Sequence, residues 1–218
     1  MKLPILAGPL RGRWWLPQSR GKILRILGGT YEPEQTRLFQ EHIPEGATVF
    51  DVGAHVGYYT LLASVLAGDA GRVWAFEPNP ANHAFLRRHV AVNQRDNVSI
   101  ENAAVSDRNG TAAFAFGTGS GTGHLDKGGT LEVRTVRLDD FCREHGVQPG
   151  FLKIDVEGAE LDVLRGAEET IAARPVIFLS THGAQIHAAC LAWLRERGYK
   201  LQPVDAADLD AASEVLCT

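Results

Sequence analysis

Cysteine is scarce in this 218-residue chain: Cys142, Cys190 and Cys217 form no CxxC pair and stand far apart, which excludes a disulfide framework and a cysteine-built zinc site. Long apolar runs are missing too, so no membrane span is expected. Met1 to Leu10 carries one lysine and a short apolar stretch broken by Pro4 and Pro9, too short for a signal h-region followed by a cleavage site, and a cytoplasmic protein is expected. There is no excess of positive charge: the net charge is -4 and the pI about 6.1, which removes whole-molecule attraction to nucleic acid or anionic lipid and leaves only local patches. Internal repeats and low-complexity tracts are absent, and the one glycine-rich linker, Gly117 to Gly129, leaves too little chain after it for a second large domain.

What is present suits one α/β domain, with 44% hydrophobic and 22% charged residues. Arg11, Arg13, Arg20, Lys22 and Arg25, interleaved with Trp14 and Trp15, are either a grip for a phosphate- or sugar-bearing acceptor or a solvated, partly packed arm. The expected organisation is an N-terminal arm and helix over residues 1–40, capping the acceptor side, and a cofactor-binding domain over 41–218. Strand and helix patterns alternate. Thr48 to Val52 reads as a strand ending at Gly53, Tyr58 to Leu66 as a helix, Arg72 to Phe76 as a strand, Ala81 to Val92 as an amphipathic helix and Val98 to Ala103 as a third strand. Strand-like stretches near Thr111 to Phe116 and Leu131 to Val136 suggest an extension or hairpin at the sheet. Then follow a strand at Phe151 to Ile154, a helix at Ala159 to Ala167, a strand at Val176 to Leu179, a helix at Ile186 to Arg197 closed by Gly198, and strands at Tyr199 to Pro203 and Glu214 to Cys217. Such alternation predicts a Rossmann-like, mostly parallel sheet with helices on both faces and a ligand beyond the strands' carboxyl ends.

The chemistry-bearing residues fall at those ends. Asp51-Val52-Gly53-Ala54-His55-Val56-Gly57-Tyr58 is a glycine turn before a helix, where backbone can approach a ligand. Counted from Gly53, the second and third glycines of a dinucleotide fingerprint are His55 and Tyr58, which disfavours NAD or FAD and favours a nucleoside without a bridging diphosphate. The lysine of a P-loop is also missing. Glu77 ends the second strand about twenty residues on, where an acid reads ribose hydroxyls; the other reading is a surface acid capping the helix after Pro78. Asp51 either accepts from a ligand amino group or fixes the turn, and Asn102, Ala103 and Ala104 stand where an adenine edge would lie.

Val49 to Thr60, Phe76-Glu77-Pro78, Ala104-Val105-Ser106-Asp107 and Lys153-Ile154-Asp155-Val156-Glu157-Gly158-Ala159-Glu160, in that order and with Leu138-Asp139-Asp140-Phe141 before the last, closely resemble the FkbM-type family of S-adenosylmethionine-dependent methyltransferases. The resemblance spans roughly Tyr31 to His182. It implies S-adenosyl-L-methionine as methyl donor, O-methylation of sugar or polyketide hydroxyls, and a seven-strand sheet whose last strand runs antiparallel. On this reading Asp51, Gly53, Ala54, His55, Gly57, Glu77, Pro78, Asn102, Ala103 and Asp155 hold the donor. Members often carry a glutamate before the histidine after the fifth strand; here Ser180-Thr181-His182-Gly183 has none, which removes a carboxylate from that position.

Methyl transfer from a sulfonium is an in-line displacement that depends on positioning, with a base where the acceptor is an alcohol. The strand period puts Lys153 and Asp155 on one side, with Glu157 and Glu160 in the turn and first helical stretch beyond. The expected catalytic residues are Asp155 and Glu157, orienting the acceptor hydroxyl or the donor's ammonium, His182, removing the proton, and Lys153 beside Asp155. The alternatives are helix-end electrostatics for the carboxylates, simple neutralisation of Asp155 by Lys153, and a structural hydrogen bond for His182. A catalytic metal is not expected, because Asp155, Glu157 and His182 lack a recurrent ligand spacing. Gly117 to His124 suits a lid over the acceptor or a plain hairpin tip. The rivals are another nucleoside-dependent enzyme, such as a dehydrogenase, and a non-catalytic cofactor-binding module; a nucleic-acid partner is disfavoured by charge and by the lack of an Asn-Pro-Pro-aromatic segment. The sequence specifies neither the acceptor nor self-association.

Overall fold

The structure, a computed structural model, describes residues 1–19, 22–116, 123–125 and 128–218. In chain order it has a short hairpin, β1 (Leu3–Pro4) with β2 (Trp14–Trp15), then α1 (Ile23–Leu27), α2 (Pro33–His42), β3 (Thr48–Val52), α3 (Tyr58–Ala67), β4 (Arg72–Phe76), α4 (Pro80–Val92) and β5 (Val98–Glu101). There follow β6 (Ala104–Val105), β7 (Gly110–Phe116), β8 (Gly123–Leu125), β9 (Leu131–Val136), α5 (Leu138–His145), β10 (Phe151–Ile154), α6 (Glu160–Arg165), α7 (Glu168–Ala172), β11 (Val176–Ser180), α8 (Ala184–Glu196), β12 (Leu201–Pro203) and β13 (Glu214–Cys217).

Seven strands form the central sheet in the order β12-β13-β11-β10-β3-β4-β5. From β5 to β11 the pairs are parallel, and β13 runs antiparallel to both neighbours, as the family resemblance implied. The strand period of two sorts the core to either side of this sheet. Phe50, Val52, Leu152, Ile154, Ile177 and Leu179 join the cluster on one face, while Val49, Phe151 and Phe178 join the one containing Leu38, Phe39 and Leu62 of α2 and α3. The central strands are therefore apolar on both faces, and helices cover both.

Three elements differ from the sequence reading. The strands around the glycine-rich segment do not extend the central sheet; β6, β9, β7 and β8 form their own four-stranded sheet, with β6 parallel to β9. The single strand expected over Val98 to Ala103 ends at Glu101, because Ala104 and Val105 pair with Thr135 and Val136 instead. The helix expected over Ala159 to Ala167 breaks at Gly166, where a Cβ would lie 2.1 Å from the Ser106 carbonyl oxygen, so glycine lets two backbones meet. Residues 117–122 of the lid-or-hairpin segment lie outside the described residues.

The arm is packed rather than loose. Trp15 is fully buried and stacks on His89 of α4 at 3.9 Å between ring centroids. The Leu16 amide donates to His89 Nε2 (3.0 Å), so the Nδ1 proton goes to the Val56 carbonyl (2.7 Å) and the imidazole links the arm to the glycine turn. The Trp14 amide donates to Asn93 Oδ1 (2.7 Å), and Ile5, Leu10, Trp15 and Ile26 share a core with Val56 and Leu61.

Candidate functional site

The carboxyl ends of β3, β4, β10 and β11 open onto one cavity of about 400 Å³, within the usual range of small-molecule pockets. Gly53 (φ 79°) begins the turn after β3, and a Cβ there would lie 1.8 Å from the Asp155 carbonyl oxygen. Only glycine lets the loops after β3 and β10 cross so closely. Gly57 (φ 98°) starts α3 with its Cα facing Leu86, where a Cβ would meet Leu86 Cδ1 at 2.6 Å. His55 holds φ 51°, a left-handed conformation that a non-glycine residue keeps only when its surroundings impose it.

Glu77 supplies the constraint. Its Oε2 accepts from the His55 amide (2.7 Å) and its Oε1 from the Asn79 amide (2.8 Å), which fixes the turn against the start of α4. The residue is buried, so it is no surface acid, and burial pushes its carboxyl up to about 7 against the pull of those amides.

Parallel register places Lys153 of β10 beside Asp51 of β3. Both are buried. Lys153 Nζ donates to the Gly53 carbonyl (2.7 Å) and lies 3.2 Å from Asp51 Oδ1 and 3.5 Å from Asp155 Oδ2. Burial opposes its charge, but Asp51 and then Asp155 hold its pKa above the lysine range. Thr60 Oγ1 donates to Asp51 Oδ2 (2.6 Å), while Asp51 Oδ1 has its ion pair but no aligned hydrogen bond.

His182 follows β11. Its Nδ1 donates to Glu160 Oε1 (2.7 Å), and its Nε2 stands 3.8 Å from Asp155 Oδ1 and 3.6 Å from Glu157 Oε2. Glu160 is fully buried and also accepts from the Gly158 amide (2.9 Å). The Glu160 hydrogen bond raises the His182 pKa; burial lowers it, and Glu157 and Asp155 raise it further.

Of the residues singled out from the sequence, Gly53, Ala54, His55, Glu77, Pro78, Ala103, Lys153, Asp155, Glu157 and His182 line the cavity together. Asp51 and Gly57 stand just behind the lining. Asn102 is exposed and outside it; the chain leaves β5 after Glu101, and Ala103, Ala104 and Val105 reach the cavity instead. The sequence reading missed a wall made by Tyr31, Glu32, Tyr59 and Glu214. Tyr59 donates its hydroxyl proton to Glu32, and burial followed by the Glu32 charge raises both the Tyr59 and Tyr31 phenols. Glu214 accepts from Gln35 Nε2 (2.6 Å) and is pushed up to about 7 by burial and by Glu32. One signal for it was in hand: an antiparallel last strand starts at the edge where parallel strands end, which pairs Glu214 with Ser180. No group of three or more possible metal ligands occurs among the described residues.

Comparison with known proteins adds a family. A family model described as the methyltransferase FkbM domain matches residues 51–201. Among curated proteins, the chain is 27% identical over 168 residues to the hexuronic acid methyltransferase AglP of Haloferax volcanii, covering 76% of this chain and 68% of the relative. It is 33% identical over 159 residues to the 31-O-demethyl-FK506 methyltransferase FkbM of Streptomyces tacrolimicus, covering 57% and 60%. A crystal structure of an FkbM methyltransferase from Methylobacillus flagellatus superposes with a TM-score of 0.61 at 18% identity, over 90% of this chain and 52% of that one.

Proposed function

Because the chain belongs to the FkbM methyltransferase family and is an S-adenosylmethionine-dependent methyltransferase, we propose that it moves the methyl group to a hydroxyl of a small molecule or glycan, of sugar or polyketide type, with His182 as base. The observation that carries this reading is the convergence of Glu77, the crossing at Gly53 and the Glu160–His182 pair on one cavity.

The residues fit the donor. Glu77 Oε2 accepts the His55 amide and retains a lone pair for a ribose hydroxyl, while Oε1 accepts the Asn79 amide and, at 3.5 Å, Asn82 Nδ2, an amide that a second ribose hydroxyl would displace. The turn from Gly53 to His55 lines the cavity, Ala103 and Ala104 leave room for a flat base, and Asp155, backed by the buried Lys153–Asp51 pair, is an acceptor for an ammonium group. When bound, S-adenosylmethionine supplies an electrophilic methyl on a sulfonium. Lys153 holds Asp51 and Asp155 in place and stands apart from proton transfer, because its protons face two carboxylates and the Gly53 carbonyl.

His182 is built to take a proton. Glu160 accepts from Nδ1, so in the neutral ring the lone pair is on Nε2, the nitrogen between Asp155 and Glu157. Those two carboxylates accept from acceptor hydroxyls and favour the imidazolium that proton uptake creates. The relatives named for a hexuronic acid and for 31-O-demethyl-FK506 support a hydroxyl acceptor. Three buried, unbridged cysteines agree with work in the cytoplasm, and among the described residues no helix is long and apolar enough to cross a membrane.

The test is conversion of labelled donor against a panel of sugars, glycolipids and polyketides, followed by the position of the label. Transfer to oxygen that His182→Ala reduces at least about 100-fold is expected, in line with the usual contribution of a general base. Transfer to nitrogen or carbon, or full activity of that variant, refutes the reading.

A further inference from the structure

Charge is distributed unevenly along the chain. Six of the 22 lysines and arginines and none of the 26 acids lie in residues 1–31, so this segment carries +6 and the remainder -10. The structure keeps the asymmetry at the surface. Lys2, Arg11, Lys22 and Arg25 are exposed and Arg13 is half-buried, and none of the five pairs with a described carboxylate, the first ion pair in chain order being Arg37 with Glu34.

The apolar surface follows the same division. The large apolar side chains that stand exposed among the described residues are Met1, Leu6 and Leu24, all in this segment, with Leu6 68% and Leu24 86% exposed. The Leu6 amide donates to the Leu27 carbonyl (2.8 Å), which seats Leu6 beside the end of α1, and Leu24 lies one turn earlier on that helix. Ile26 of the same helix is buried with Ile5, Leu10 and Trp15. The exposure therefore belongs to a packed platform held on α4 through Asn93 and His89.

Exposed leucines in one segment with cations that have no described carboxylate partner, Lys2 and Lys22 standing over the Trp14 and Tyr31 rings, suit one chemistry: the apolar groups enter a headgroup boundary and the cations meet anionic headgroups. A nucleic acid would use the cations and leave the leucines in water. The acidic remainder of the molecule is repelled by the same surface, so the charge division also orients the protein.

We propose that residues 1–27 dock on the surface of an anionic lipid bilayer through Leu6, Leu24 and the surrounding cations, bringing the cavity rim at Tyr31 and Glu32 to an acceptor carried on that surface. The docking is peripheral and rests on no feature of the donor site.

The experiment is co-sedimentation of the 218-residue chain with phosphatidylglycerol-containing vesicles and with pure phosphatidylcholine vesicles, at about 50 mM and about 300 mM salt. Binding to the anionic vesicles alone is expected, at least about tenfold weaker in high salt. Leu6→Ser with Leu24→Ser, and separately Arg11→Gln with Arg25→Gln, should each weaken it about tenfold or more. Melting and affinity for S-adenosylhomocysteine should stay unchanged, because none of these four residues lines the cavity. Failure of the folded chain to sediment with anionic vesicles, binding that neither variant alters, or retention of duplex RNA on the same arginines with vesicles ignored would each overturn the proposal. Loss of S-adenosylhomocysteine binding by the wild type would count against the donor site and leave the vesicle result standing.

Discussion

Glu77→Ala is the substitution whose consequence the site geometry fixes most closely. The carboxylate is buried and already accepts the His55 and Asn79 amides, with Asn82 Nδ2 at 3.5 Å from Oε1, so Oε2 is the better acceptor left for the cavity and Oε1 the weaker. Hydrogen bonds to a charged acceptor contribute about 1.5–3 kcal/mol each. Losing one good and one weaker contact to a ribose diol costs about 3 kcal/mol, roughly 100-fold in Kd. The two amides, left buried without an acceptor, cost the fold about 1–3 kcal/mol each, so the variant should also melt earlier. Glu77→Gln keeps one amide partner and serves as the milder comparison. The assay is calorimetric titration with S-adenosylhomocysteine well below each variant's melting temperature, with NADH as an inert control. A pH series adds a second readout. Burial raises the Glu77 carboxyl to about 7, so its ionised form costs stability as pH climbs from the ordinary value of 4.5 through about 7. Ribose binding favours that ionised form; wild-type affinity should therefore fall below pH 7 by up to tenfold per unit, with proton release on binding. Glu77→Ala should flatten the curve to the residue left by Glu214, which is raised to a similar value. Folded Glu77→Ala binding within about threefold of wild type, or a wild-type affinity flat from about pH 5.5 to 8, would refute the reasoning.

Three further outcomes follow from the same contacts. Glu160→Gln should lower the His182 pKa and move the lower limb of the activity profile to more acid pH; imidazole nitrogen NMR reads this without an acceptor, and an unmoved titration would show that Glu160 does not hold the ring. Because the His182 pKa is raised on folding, its stabilising contribution is complete below pH 6.5 and lost as pH rises through the raised value, so the melting difference between wild type and Glu160→Gln should shrink in alkali. Lys153→Met leaves Asp51 as a buried, unpaired carboxylate; a loss of about 3–5 kcal/mol, or roughly 10 °C in Tm, is expected, and a Tm within about 2 °C of wild type would mean that Asp51 takes up a proton instead. Gly53→Ala drives a Cβ to 1.8 Å from the Asp155 carbonyl, so calorimetry should find no S-adenosylhomocysteine binding in whatever folded protein is recovered; near-normal affinity would show that the two loops can separate.

Much of this arrangement could be read from residue order because strands and turns are local. The period of two in Thr48–Val52, Phe151–Ile154 and Val176–Ser180, each ending in a turn, places Gly53, Asp155 and His182 at one edge whatever the details of packing. Contacts between distant segments are a different matter. Glu160 belongs to the same motif as Asp155, yet a helix-end charge and a partner for His182 look alike until β11 is laid beside β10. A strand drawn from Val98 to Ala103 runs two residues past the end of β5 and turns Asn102 inward, whereas pairing of Ala104 and Val105 with β9 turns the chain and gives the cavity Ala103 to Val105. The wall of Tyr31, Glu32, Tyr59 and Glu214 joins the two ends of the chain, and only the antiparallel course of β13 hinted at one of its members. That wall changes the electrostatic character of the site. Glu32, Glu77, Asp155, Glu157 and Glu214 face Lys153 and His182 across one cavity, so carboxylates outnumber cations there. A sulfonium donor carries a positive charge that its thioether product lacks, so on the proposed donor site this acid-lined cavity should bind S-adenosylmethionine more tightly than S-adenosylhomocysteine, and equal affinities by calorimetry would show that the wall does not sense the sulfonium charge.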